Sequence, residues 1–262
     1  MPILNTQSGV KQARDLPFCY ICGQPFTEEE SNHPDHIPPE AIFDPLDRDF
    51  PLKLASHFKC NNSQSKNDEV IGQLIAVIHG KQPKPKNTRL KYKKYQIDST
   101  NETLLGFLNV NLIPQIWRWV RGFHAALYEE FLPNDTGNAI HPPFPHGTTD
   151  TKGFKIDKIL PQHRLFVKII KKNHKINYVD KIECNNGKLK YECVWVQMDD
   201  MSWACVFALQ IYDWMKLADK HFTSRGCVGY YHPSKGCPIN GIKGTELEVP
   251  FRNRDPLDPF GK

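Results

Sequence analysis

The chain has 262 residues, of which 39% are hydrophobic, and its formal net charge is +5 with an isoelectric point near 8.7. This length allows one large domain or two smaller ones, each with a buried core. No apolar run approaches the roughly 18 residues of a membrane span, and the first residues lack a signal-peptide pattern. We therefore expect a cytoplasmic protein, and its mildly basic charge is compatible with a phosphate-bearing partner.

Cysteines and histidines near the N-terminus are spaced like metal ligands. After a polar arm at residues 1–16, the segment 17–26 contains Cys19 and Cys22 followed by Gly23, which suits the tight turn of a zinc knuckle. A second pair with the same spacing, His57 and Cys60, comes later. Four such ligands predict a tetrahedral structural zinc site, and a reducing compartment favours metal binding over disulfides.

An acid and a histidine, Asp35 and His36, lie between the two ligand pairs, and Asn61 directly follows the last ligand. We expect a first strand with its following loop at 32–43, kept irregular by prolines, and a second strand near 52–58. A helix should begin near Asn61 and end at Gly80. A carboxylate, an amide oxygen and a histidine base can together bind one hard divalent cation and activate water.

Over residues 17–72 this pattern resembles the HNH endonucleases of the ββα-metal fold. It is most similar to their zinc-knuckle branch and to phage junction-resolving endonucleases, which also have an Asp-His pair and an Asn just after the fourth zinc ligand. The chain departs from the family at His57, where the family usually has cysteine. Histidine is a good zinc ligand, so we expect the site to be retained.

The resemblance implies a metal-dependent endonuclease that hydrolyses phosphodiester bonds in DNA. His36 would be the general base, and Asp35 with Asn61 would hold a catalytic Mg²⁺ or Mn²⁺. The structural zinc would be held by four residues: Cys19, Cys22, His57 and Cys60. His33 and Asn62 are second candidates for the cation site.

A basic segment follows the predicted helix. Residues 81–94 carry seven positive charges without an acid, a pattern that fits either contacts with a DNA backbone or a solvated linker. The candidate contacts are Lys66, Lys84, Lys86, Arg89, Lys91 and Lys93.

The rest of the chain predicts a mixed architecture. Two strands should lie within 90–112, an amphipathic helix should cover 114–131, and another helix should cover 161–172. Asn185-Asn186-Gly187 predicts a hairpin between strands at 176–184 and 188–197, and alternation predicts a third strand at 203–211. The segment 220–262 reads as loops, in which His221, Cys227, His232 and Cys237 could form a second zinc site.

The predicted fold class is α+β. An N-terminal ββα-metal domain with a treble-clef-like zinc, residues 1–80, would precede a larger α+β domain, residues 81–262, with a C-terminal antiparallel sheet. The alternative is a non-catalytic, zinc-stabilised module that binds nucleic acid or protein. The pattern leaves open a homo-oligomer, DNA versus RNA, sequence specificity, and nicking versus double-strand cleavage.

Overall fold

The computed structural model describes residues 3–4, 15–30, 32–49, 51–78, 89–97, 102–107, 110, 112–141, 149–150, 153–154, 168–170, 179–198, 202–212 and 227–233. Its strands, numbered in chain order, are β1 Ile3–Leu4, β2 Asn32–His36, β3 Lys53–His57, β4 Tyr92–Ile97, β5 Glu102–Phe107, β6 Gly137–His141, β7 Thr149–Asp150, β8 Gly153–Phe154, β9 Asp180–Cys184, β10 Leu189–Gln197, β11 Trp203–Ile211 and β12 Cys227–His232. Its longer helices are α1 Phe58–Asn62, α2 Ser65–Ile78 and α3 Leu112–Tyr128. Residues 168–170, within the helix predicted at 161–172, are also helical, and the rest of that predicted helix lies outside the described residues.

The largest sheet has the strand order β1-β9-β10-β11-β12-β6. Strands β9 to β12 and β6 are antiparallel, whereas β1 is parallel to β9. The predicted α+β class and the C-terminal antiparallel sheet are therefore confirmed. The predicted β9–β10 hairpin is also present, and its turn residues Asn185, Asn186 and Gly187 all have positive φ, which these residue types tolerate.

Three sheet strands were not expected from the sequence. Residues 3–4 form β1, although we expected residues 1–16 to be an arm or loop. Strand β12 lies within the predicted loop region, and β6 pairs with it through Gly229 opposite Ile140. Each of these pairings joins residues far apart in the chain, so the local pattern held no sign of them.

The N-terminal elements form a small separate sheet followed by helices. Strands β2 and β3 pair antiparallel, with Asp35 opposite Leu54 and His36 opposite Lys53. The helix after β3 begins at Phe58, three residues before the predicted start, and α2 follows it. Strands β4 and β5 also pair, as expected for residues 90–112. The proposed domain boundary near residue 80 lies outside the described residues and stays a prediction.

Helix α3 packs into the main hydrophobic core. That core contains Tyr20 and Leu54 near the N-terminus, Val120 and Phe123 on α3, and Tyr191 on β10. Three polar residues of α3, Arg118, Arg121 and His124, are all buried. These side chains therefore do not form a nucleic-acid-binding surface. Within the described residues, no helix has both the length and the apolar character needed to cross a membrane.

Candidate metal centre and active site

The turn around Gly23 brings the first two candidate ligands together. The Cys19 N–H donates to the Gln24 carbonyl at 2.9 Å, and the Gly23 N–H donates to the Cys19 carbonyl at 2.8 Å. Gly23 has φ of +78°, and an added Cβ would lie 2.7 Å from the ring of Phe131. Both the backbone conformation and the close contact therefore require glycine at this position.

The second ligand pair spans the junction of β3 and α1. His57 is the last residue of β3, and Cys60 lies in the only full turn of α1. The His57 N–H donates to Cys19 Sγ at 3.3 Å, and His57 Nδ1 lies 3.3 Å from Cys22 Sγ. The change from strand to helix thus turns both side chains towards the knuckle.

One ligand atom from each of these four residues lies within 4.8 Å of the other three. Tetrahedral zinc with bonds of about 2.3 Å to sulfur places its ligand atoms roughly 3.8 Å apart, so the cluster is close to the required size. Three thiols and one imidazole could bind a metal such as zinc. Within the described part of the chain, no other group of three or more histidines, cysteines or acids has this geometry.

The surroundings of the cluster also favour a cation. Burial and the neighbouring Cys19 and Cys22 together raise the pKa of the Cys60 thiol to about 12, because adjacent thiolates repel. The ring of His57 is buried, and its Nε2 lies 3.8 Å from a carboxylate oxygen of Glu30. An acidic group behind a histidine ligand is a usual outer-shell arrangement in zinc sites.

Asp35 is buried and hydrogen-bonded inside the protein. Only 5% of its surface is exposed, and the Tyr20 hydroxyl donates to Asp35 Oδ2 at 2.6 Å. Burial raises the pKa of the Asp35 carboxyl, and the positive charge of Arg118 opposes that rise. Asp35 and His36 are consecutive strand residues, so their side chains point to opposite faces of β2.

Arg118 and Asp68 form an ion pair beside Asp35. Arg118 Nη2 donates to Asp68 Oδ1 at 2.6 Å, while Arg118 Nε and Nη1 have no hydrogen-bond partner among the described residues. Burial raises the pKa of Asp68 to about 6, against the attraction of Arg118. Two carboxylates and one guanidinium therefore share a poorly solvated space.

The other two predicted catalytic residues have more access to water. His36 is half-buried, with Nε2 4.0 Å from a carboxylate oxygen of Glu40. Asn61 is half-buried in α1, directly after Cys60. The arrangement of Asp35, His36 and Asn61 around one cation stays a prediction.

The predicted DNA contacts are described only in part. Lys66 and Lys91 are exposed, and Arg89 forms an ion pair with Glu69 of α2. Gln73 Oε1 accepts hydrogen bonds from the backbone N–H groups of Arg89 and Leu90, so the basic segment contacts α2 at these two residues. Lys84 and Lys86 lie outside the described residues, as does the side chain of Lys93.

Sequence reasoning missed the residues that support the site from a distance. Arg121 of α3 donates to the Ile21 carbonyl at 2.6 Å and to the Leu132 carbonyl at 2.7 Å, so α3 holds the knuckle backbone. The roles of Tyr20, Asp68 and Arg118 were also missed, because their partners lie far away in sequence. The suggested second zinc site gains no support: Cys227 is fully buried in β12, while His221 and Cys237 lie outside the described residues.

Comparison of this chain with protein-family models, with curated proteins and with solved structures found no match.

Proposed function

We propose that this protein is a metal-dependent endonuclease of the HNH type. The observation that carries the proposal is the Cys19, Cys22, His57 and Cys60 cluster, which ties the knuckle to the strand pair carrying Asp35 and His36. Asn61 directly follows the cluster residue Cys60 in α1. Zinc would have a structural role here, because a small unit with little core of its own is stabilised by the free energy of metal binding.

The proposed roles follow from the chemistry of each side chain. Asp35 and Asn61 offer oxygen ligands of the kind that Mg²⁺ and Mn²⁺ prefer. His36 takes a proton from the attacking water, and its partial exposure gives water access to the ring. A divalent cation, when bound, would neutralise charge on the phosphate and stabilise the leaving oxygen.

DNA is the proposed substrate. The net charge of +5 and the exposed Lys66 and Lys91 fit a polyanionic partner, since phosphate neutralisation supplies most non-specific affinity. The proposed contacts in the basic segment imply that binding weakens as salt rises.

A plasmid-nicking assay tests this function. Zinc-loaded protein should convert supercoiled plasmid to nicked or linear forms only when Mg²⁺ or Mn²⁺ is added. His36→Ala should lower the rate by about 10²-fold or more, because proton transfer is lost, while the zinc content stays unchanged. His232→Ala, which alters a half-buried histidine on β12, should cleave like wild type.

Two results would contradict the proposal. One is wild-type protein that leaves the plasmid intact with both cations. The other is His36→Ala protein that cleaves at the wild-type rate, which would remove the general-base assignment.

The burial of Asp35 favours a second candidate, a zinc-stabilised binding module without catalysis. A carboxylate that is 5% exposed and already bonded to Tyr20 could serve the fold alone. The second candidate would be supported if wild-type protein retards DNA in a gel mobility-shift assay but does not cleave it at any cation concentration.

A further inference from the structure

The zinc knuckle contacts the proposed cation ligand through one side chain. Tyr20 lies between the ligands Cys19 and Cys22, and its backbone N–H donates to the Ala55 carbonyl of β3 at 3.1 Å. Its ring is 1% exposed, so the hydroxyl has little freedom to move. That hydroxyl donates to Asp35 Oδ2 at 2.6 Å. A rigid element therefore fixes one oxygen of the Asp35 carboxylate.

The charge opposite Asp35 comes from a distant part of the chain. Arg118 of α3 attracts Asp35 electrostatically and is itself held by its 2.6 Å ion pair with Asp68 of α2. The three side chains Asp35, Asp68 and Arg118 sum to one negative charge when both acids are ionised. A buried carboxylate needs such partners to stay ionised, and an ionised carboxylate is what a divalent cation binds.

We propose that Tyr20 is a positioning residue for the cation site, because its hydroxyl orients the Asp35 carboxylate. The inference rests on the proposed function, in which Asp35 is a cation ligand. A structural zinc would then have a second effect besides stabilising the fold. The knuckle that it stabilises contains Tyr20, which orients Asp35, the proposed ligand of the divalent cation. Outer-shell groups of this kind typically change metal affinity by about 10- to 100-fold when removed.

The chain offers a closely matched control for this idea. Tyr128 is also buried, and its hydroxyl donates to Asp180 Oδ2 at the same distance, 2.6 Å. Tyr20→Phe and Tyr128→Phe each delete one hydroxyl and its buried hydrogen bond to an aspartate, and Tyr128→Phe also deletes the bond that the Tyr128 hydroxyl accepts from Trp195 Nε1. Tyr128→Phe should therefore cost at least as much stability as Tyr20→Phe, but only Tyr20 lies beside the proposed cation site.

The test is a titration of the zinc-loaded full chain with Mn²⁺. The electron paramagnetic resonance signal of free Mn²⁺ reports how much of the ion is bound. We expect Tyr20→Phe to weaken Mn²⁺ binding by roughly 10-fold or more, with unchanged zinc content, and Tyr128→Phe to bind like wild type. The Mn²⁺ concentration for half-maximal nicking should shift by the same factor.

The other outcomes separate this inference from the nuclease proposal. Equal Mn²⁺ affinity in the two phenylalanine variants would overturn the role of Tyr20, and so would loss of zinc from Tyr20→Phe, which would show that Tyr20 supports the zinc site instead. Wild-type protein that binds no Mn²⁺ overturns the inference, whereas wild type that binds Mn²⁺ but cleaves nothing defeats only the nuclease proposal.

Discussion

Asp35 is the side chain on which most of the proposed chemistry depends. Asp35 has a carboxyl group and is buried, whereas Asn61 has a neutral amide and is half-buried. The two would contribute unequally to one cation, because a carboxylate supplies charge and an amide supplies only an oxygen ligand. Their variants should therefore respond differently to added metal.

We predict that Asp35→Asn and Asn61→Ala both require more Mg²⁺ or Mn²⁺ for cleavage, with the larger shift for Asp35→Asn. Asparagine at position 35 can still accept the Tyr20 hydrogen bond, so the fold is spared the cost of an unpaired buried hydroxyl. The measurement is the nicking rate over a cation titration, which should restore Asn61→Ala more fully. His36→Ala should not be restored, because its defect is in proton transfer.

Zinc content measured in parallel is the control for these variants, and it should equal that of wild type. The cation assignment is wrong if Asp35→Asn cleaves with the wild-type metal dependence.

The knuckle, β3 and α1 form one unit at the level of structural elements. They meet at the four side chains of the cluster, Cys19, Cys22, His57 and Cys60. The elements themselves are short: β3 has five residues, and α1 has five. Isolated elements of this length are not stable in water. The pairing of β3 with β2, the burial of Leu54 in the main core and the Arg121 contact with Ile21 hold them in place, and a metal bound by the four side chains would add to this.

We predict that Cys22→Ser removes the zinc and unfolds this unit, because metal-binding free energy contributes directly to folding. Elemental analysis should show less than one zinc per chain, and hydrogen exchange in β2 and β3 should speed up. Cys184→Ser is the control: it makes the same substitution at a buried cysteine outside the cluster, and its zinc content should equal that of wild type. Full zinc retention by Cys22→Ser would exclude this residue as a ligand.

At the scale of the whole molecule, α3 joins the N-terminal elements to the large sheet. Arg121 of α3 contacts the knuckle, and His124 of the same helix contacts the sheet. His124 Nδ1 lies 2.8 Å from the Tyr231 hydroxyl of β12, and its ring also contacts those of Tyr128 and Trp195. Glu130 is the nearest acid, with its carboxylate 4.0 Å from His124 Nε2.

This buried histidine makes a contribution to stability that is lost in acid, whereas the raised pKa of Asp68 acts in the opposite direction. Burial lowers the pKa of His124 to about 3, so the folded protein keeps it neutral while the unfolded chain takes up a proton below about pH 6.5. The unfolded state then binds more protons, and stability falls as the pH falls. The contribution is about 2 kcal/mol between pH 7 and pH 5.

Denaturant unfolding at these two pH values measures the effect. His124→Gln should be less stable than wild type at pH 7 but should lose about 2 kcal/mol less on moving to pH 5. An equal loss in both proteins would show that His124 does not set the acid sensitivity.

What the sequence determined by itself was local. Ligand spacing predicted the Cys19, Cys22, His57 and Cys60 cluster, because donor type and separation reflect metal geometry directly. Residues Asn185 to Gly187 predicted the hairpin through their tolerance of positive φ, and alternation predicted β11. Each of these signals lies within a few neighbouring residues.

Contacts between distant parts of the chain could not be predicted from these local patterns. Arg121 bonds a carbonyl 100 residues away, Arg118 an acid 50 residues away, and His124 a tyrosine 107 residues away. In a helical pattern these polar residues are expected at the surface, since burying them costs free energy unless partners are present. The partners come from other elements, so their burial, the pairing of β1, β6 and β12 into the sheet, and the contact of Tyr20 with Asp35 could be seen only in the folded chain.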